Sequence, residues 1–311
     1  MKAEFFYPSR DGMTQIHAIE WVPEGNVKAV LQISHGMVEY IDRYDEFAEY
    51  LAGQGYYVVG HDHLGHGKSV TEEDRLGYFH ETRGNDFVIG DIHELRMRTM
   101  KKYPEVPYFM LGHSMGSFLL RQYIQMYGKG LAGVVIVGTG YQPAIVLHVG
   151  RALCRIISLV KDDHVRCKIV DGMAFGGYNK RFEPARTSKD WLTKDEAIVD
   201  KYLADPWCSF MFTINAYYHM FGGMLQLTKR KNLKKIPKEL PVYFIAGKDD
   251  PVGNFGKGVE KVYHQYRALG IKDVSIRLYE TDRHEILNET DRQQVFKDIW
   301  FWLELKRKRR K

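Results

Sequence analysis

Gly112-His113-Ser114-Met115-Gly116 has the spacing of a serine set on a sharp turn. A serine hydroxyl is a weak nucleophile until a base takes its proton, and the base needs an acid to orient it. Glycines on both sides of Ser114 let a strand turn abruptly into a helix. That turn lifts the hydroxyl above a sheet and leaves the N–H groups of the helix start free for an oxyanion. The partners expected downstream run acid first, then histidine. Asp250 stands in Ala246-Gly247-Lys248-Asp249-Asp250-Pro251 and His284 in Asp282-Arg283-His284-Glu285, each just after an apolar run. Asp249 is the rival acid, and the Asp-Pro step that fixes the turn favours Asp250. His35-Gly36-Met37 follows an early apolar run, where a second oxyanion donor belongs. Backbone N–H groups of Met37 and Met115 then flank the attacked carbonyl.

Competing chemistries fit less well. His61, His63 and His66 beside Asp62 invite a metal reading, yet Gly65-His66 stands where H-x-H-x-D-H needs Asp-His. His93-Glu94 lacks the second histidine of a zinc helix. The expected chemistry calls for no metal and no organic cofactor.

Such residues need a scaffold that brings loop ends together. Val30–Ser34, Tyr56–Val59, Tyr108–Leu111, Val134–Val137, Val242–Ile245 and Val274–Leu278 are short apolar runs closed by Gly, Asp or Pro. Runs of this kind suit a parallel sheet buried on both faces. Helical spacing over residues 44–53, 86–102 and 115–127 supplies the crossovers. The expected fold is α/β, a mostly parallel doubly wound sheet. Residues 141–237 break the alternation with Tyr, Phe, Met and basic residues, too long a stretch for a plain loop. They read as a mainly helical cap between two late strands, with residues 1–140 and 238–311 forming the core. Within it Ile145, Val149, Leu153, Ile156, Ile157 and Val160 fall near one helical face, and Tyr217 through Leu225 is rich in aromatic and flexible side chains. Packing of both stretches onto the sheet is the expectation; lining an acyl tunnel or touching lipid is the functional alternative.

Composition narrows the class. The 311 residues carry 45 Lys+Arg against 39 Asp+Glu, and the chain ends in six basic residues, Lys306 to Lys311. Without those six the two signs balance, so the folded body offers no argument for nucleic-acid binding. With 44% hydrophobic and 27% charged residues the chain reads as an ordinary globular protein. No apolar run approaches a membrane span, and the first residues read without a signal peptide. Cys154, Cys167 and Cys208 are odd in number and lack CxxC spacing, as reduced thiols of a cytoplasmic protein would.

His35-Gly36-Met37-Val38-Glu39, the run His61 to Ser69, Gly112 to Gly116, Asp250-Pro251-Val252-Gly253 and Arg283-His284-Glu285 together resemble the α/β-hydrolases of the monoacylglycerol lipase and lysophospholipase group. The likeness spans nearly all of the chain outside the cap. Ser117 after the last elbow glycine and Leu64 depart from many relatives. The resemblance implies Ser114, Asp250 and His284 as the triad, and Met37 and Met115 as oxyanion donors. It also implies Glu39, Arg43 and His113 as the lining of a glycerol head-group pocket. The activity it implies is hydrolysis of a mono-acylated lipid ester, a monoacylglycerol or a lysophospholipid. A short-chain carboxylesterase, a serine aminopeptidase and a hydrolase-fold binding protein for an apolar ligand stand as the alternatives. For a lipid hydrolase the terminal run, by default disordered and solvated, gains a second reading as peripheral attraction to an anionic membrane.

Overall fold

In the computed structural model all residues are described except 71, 73, 74, 310 and 311. The six apolar runs become β3 (Ala29–Ser34), β4 (Tyr56–His61), β5 (Tyr108–His113), β6 (Gly133–Val137), β7 (Val242–Gly247) and β8 (Val274–Tyr279). The first five of these are buried at every position, which is why they carry no polar alternation. Two further strands precede them, β1 (Lys2–Pro8) and β2 (Gln15–Trp21). Sheet order is β1-β2-β4-β3-β5-β6-β7-β8, with β3 to β8 parallel and the first two antiparallel.

Helices α1 (Asp45–Gly53), α2 (Gly84–Lys102) and α3 (Met115–Tyr127) carry the early crossovers and α9 (Lys257–Ala268) the last one, while α10 (Arg292–Lys308) follows β8. Strand order reverses around β3, which lies between β4 and β5. A reversal of this kind opens a crevice at the carboxyl ends of the strands. The loops after β3, β5, β7 and β8 all emerge on that edge.

Between β6 and β7 the chain forms α4 (Ala144–Val160), α5 (Lys168–Phe175), α6 (Glu196–Ala204), α7 (Ile214–Gln226) and α8 (Arg230–Leu233), joined by loops and a single isolated bridge, Arg166 with Thr213. This is the helical cap, and α4 lies along α7. One expectation for it holds only in part, since Leu153 and Ile157 are the members of the α4 set that pack against the core. On α4 the buried side is Leu147, Gly150 and Cys154, while Val160 is 83% and Ile145 69% exposed, and Val149 and Ile156 also face outward. Helical period puts residues 147, 150 and 154 on one stripe, so the more hydrophobic stripe is left facing away from the protein. The second stretch does pack inward, with Tyr217 and Met224 buried.

The basic terminus also differs from a solvated tail. Helix α10 extends to Lys308, and Lys306 is buried, its Nζ 2.5 Å from Asp273 Oδ2. Arg307 forks onto Glu304. Asp273 directly precedes β8 and Tyr56 at the start of β4 donates to Glu304, so α10 ends at the edge of the sheet opposite the loop ends. Arg310 and Lys311 lie outside the described residues. No helix is long and apolar enough to cross a membrane, among the residues described.

Candidate active site

The turn between β5 and α3 holds Ser114 at φ 51° and ψ −119°. A non-glycine residue there costs about 1–3 kcal/mol and persists only where its surroundings enforce it. The glycines explain how. A Cβ on Gly116 would stand 2.0 Å from the Ser34 carbonyl oxygen, and one on Gly112 would stand 2.4 Å from that of Gly116. Only with both side chains absent do β3, β5 and α3 meet this closely. The Ser114 N–H donates to Val137 O at 3.1 Å, and Ser117 Oγ donates to the Ser114 carbonyl at 2.6 Å. Ser117 thus ties the elbow to its own helix.

His284 and Asp250 come to the same place from the loops after β8 and β7. Their Nδ1 and Oδ1 atoms are 3.0 Å apart, and both residues are buried. That separation is an ion-pair distance, with the Nδ1–H not aligned for a hydrogen bond; the Val252 N–H also donates to Asp250 Oδ1, at 2.8 Å. His284 Nε2 has no hydrogen-bond partner among the described residues. Catalytic hydrogen bonds in a free enzyme are often loose and tighten around substrate. Asp249, the rival, instead pairs with Arg181 at 3.2 Å at the surface.

The loop after β3 is held by imidazoles. His35, His61, His63 and His66 are all fully buried, and burial depresses each, His61 to about 3 and His66 to about 4. They are neutral, so each ring has one donor and one acceptor. His35 Nε2 accepts from the His63 N–H at 2.9 Å, which leaves the proton on Nδ1. That N–H donates to the Gly36 carbonyl at 2.7 Å. Across a trans peptide the Gly36 C=O and the Met37 N–H point opposite ways. His35 therefore sets the direction of the N–H that the sequence picks out as an oxyanion donor. Neither Met37 nor Met115 has an acceptor for its N–H among the described residues. A run that looked like metal ligands is packing for this loop.

The three head-group candidates divide. Glu39 and His113 face a chamber beside Ser114, but Arg43 sits behind them. Its guanidinium donates to Glu39 at 2.8 Å and grips Glu285 at 2.9 and 2.7 Å. Burial alone would raise the Glu39 carboxyl, yet the His113 hydrogen bond and the charges of His113 and Arg43 hold it well below the usual range. Burial would likewise lower His113, and Glu39 outweighs it, so that imidazole is raised.

Two spaces meet at Ser114. One, of about 130 Å³, runs between α3 and the cap and is lined by Met115, Phe118, Leu153, Met220, Phe221 and Met224 among others. The other, of about 60 Å³, is polar on one side, with Glu39, His113, Asp171 and Lys189. A larger cleft of about 340 Å³, between the start of α2 and the cap, does not reach the serine. Sequence reasoning missed Trp191, whose ring lies 5.1 Å from that of His284 and whose carbonyl accepts the His284 N–H at 3.4 Å. It missed Tyr202 and Lys189 as well. All three come from the cap, and no local spacing ties a cap loop to a histidine some ninety positions away.

A protein-family model described as serine aminopeptidase, S33 matches residues 25–291. The monoglyceride lipase of Mus musculus is 41% identical over 277 residues, covering 86% of this chain and 79% of that protein. That of Homo sapiens is 40% identical over 286 residues, covering 91% and 84%. Among solved structures, a highly thermostable carboxyl esterase from Bacillus coagulans in complex with glycerol superposes with a TM-score of 0.92 at 28% identity, covering 98% of this chain and 99% of that one. The chain belongs to the serine aminopeptidase S33 family of α/β-hydrolases and, within it, to the monoacylglycerol lipase group of serine hydrolases acting on lipid esters.

Proposed function

We propose that the protein hydrolyses mono-acylated lipids, with monoacylglycerol the preferred substrate, through an acyl-enzyme formed on Ser114. The observation that carries this reading is the pair of spaces meeting at the serine, one apolar and one polar. An ester carbonyl at Ser114 would send its acyl chain into the first and its alcohol into the second. His284 takes the Ser114 proton as Oγ attacks. Asp250 orients the imidazole and stabilises its charged form, while the N–H groups of Met37 and Met115 receive the oxyanion. His284 then protonates the departing alcohol, and water deacylates the serine by the reverse path. The similarity to monoglyceride lipases supports the choice of alcohol. A hydrolysis panel tests it: the expected order of kcat/KM is monoacylglycerol, then lysophospholipid, then a short p-nitrophenyl ester. A short ester at the top of that order would make the protein a general carboxylesterase instead.

The exposed stripe of α4, with Ile169 and Met173 on α5 beside it, is the face proposed to meet lipid. Leu153, Met173 and Val146 on the same helices line the acyl space, so this face would stand at its mouth. The basic end of α10 lies at the far edge of the sheet and is not part of this contact. Ile156→Glu is expected to weaken binding to phosphatidylcholine vesicles about tenfold and to slow hydrolysis of vesicle-borne monoacylglycerol in proportion. Hydrolysis of a soluble short ester should stay within twofold. Equal loss on both substrates would remove the membrane role from this face.

A further inference from the structure

Lys189 comes from the cap loop before α6, and its side chain reaches the polar chamber that also holds Ser114 and His284. Its ammonium has no hydrogen-bond or ion-pair partner among the described residues, and the nearest aromatic face, Tyr202, is 6.0 Å away. Lys238 Nζ also lacks a partner among the described residues, but four other cations drawn into the fold are satisfied. Arg43 binds two glutamates, Arg121 a hydroxyl and a carbonyl, Lys194 the carboxylate of Asp282 and Lys306 that of Asp273. Burial lowers the pKa of Lys189, against the pull of Asp171 and Glu285 in the opposite direction. The half-buried ammonium is partly desolvated and unpaired, so it offers its protons to an oxygen that enters the chamber.

Asp171, on α5, faces the same chamber. One of its oxygens accepts the Tyr217 hydroxyl at 2.7 Å, and the other has no partner among the described residues. A three-proton donor and a free acceptor therefore share the wall of the alcohol side. We infer that Lys189 and Asp171 are specificity-determining residues that read the free hydroxyls of the departing alcohol. A hydroxyl accepts from the ammonium and donates to Asp171, so a substrate hydroxyl satisfies both groups at once.

This inference rests on the proposed lipid-ester activity, and one set of measurements separates the two. kcat/KM is measured for a monoacylglycerol, for the same monoacylglycerol carrying a terminal phosphate, and for the methyl ester of the same acyl chain. The wild-type protein should prefer the monoacylglycerol over both. Lys189→Met should cut the ratio of monoacylglycerol to methyl ester by about 10- to 30-fold, chiefly through KM, because a hydrogen bond to a charged group is lost only where the substrate has a hydroxyl. Lys189→Arg keeps a cationic donor and should recover part of that ratio, which a residue needed only for folding of the loop would not do. Asp171→Asn, which retains a side-chain oxygen but loses the charge, should lower the ratio less. Melting temperatures report whether each variant folds, and the Arg variant carries the test if the Met variant does not.

A wild-type preference for monoacylglycerol that survives Lys189→Met and Lys189→Arg unchanged overturns the inference alone. A wild-type protein that turns over the methyl ester as fast as the monoacylglycerol overturns the proposed substrate and this inference with it. A preference for the phosphorylated substrate that Lys189→Met abolishes would make Lys189 a reader of anionic head groups and overturn its assignment to the free hydroxyls.

Discussion

Replacing Ser114 with alanine is expected to lower kcat on monoacylglycerol by a factor on the order of 10⁶ and to abolish labelling by a fluorophosphonate probe. The expected loss is large because every covalent step of the proposed mechanism passes through one oxygen. Ser114 is the residue whose turn the two glycines and the Val137 carbonyl hold at positive φ, at the junction of the apolar and polar spaces. What survives should be the contribution of the oxyanion N–H groups and of binding, worth roughly 10³ over water. His284→Ala should cost nearly as much. Residues that act as one unit are not additive, so the double variant should lose little more than either single one. A variant without Ser114 that still labels, or that keeps even a hundredth of the rate, would move the nucleophile elsewhere. Binding of a monoacylglycerol by the inactive variant, read by the rise in its melting temperature, separates loss of chemistry from loss of the site.

The legibility of these parts from sequence follows their physics. Strands β3 to β7 are covered on both faces and so read as unbroken apolar runs. Strand β1 has the pattern of a half-exposed edge, with Glu4 and Phe6 outward, and β2 carries His17 and Glu20, so neither resembles its neighbours. The places of Ser114, Asp250 and His284 are readable because the fold sets each one just past a strand, and strands are local events. The cap obeys no such rule. Its α4 has a continuous apolar pattern, and a pattern alone does not say which stripe meets protein. The structure gives the inner side to Leu147, Gly150 and Cys154, where Gly150 lets Phe221 approach within about 3 Å of an added Cβ. Lys306 is the opposite case: a charge in a run that composition treats as tail is fixed by Asp273, thirty-three positions earlier. Lys189 and Trp191 reach His284 only through the tertiary course of the cap. Fold and nucleophile are thus local signals, while the walls that choose a substrate are not.

Asp250→Asn tests the same machinery from its far end. Asp250 touches no substrate, so KM should change little, while kcat should fall by about 10⁴. The carboxylate faces His284 Nδ1 at 3.0 Å and is itself fixed by the Val252 N–H. In the proposed mechanism the carboxylate accepts the Nδ1–H once the pair tightens around substrate, which leaves Nε2 unprotonated and ready to receive the proton of Ser114. An amide of the same shape can turn its NH₂ toward Nδ1. The imidazole then answers with the other tautomer, its proton on Nε2, where a base is needed. The variant should also lose the electrostatic stabilisation of the imidazolium that forms in the transition state. Asp249→Asn is the control, because Asp249 pairs with Arg181 at the surface and lies outside the buried pair. Its rate should stay within twofold of the wild type, as expected for an exposed ion pair. A large loss in the Asp249 variant with a small one in the Asp250 variant would reverse the assignment. A loss of equal size in both would mean that the turn after β7, not the charge of either aspartate, is what the histidine requires.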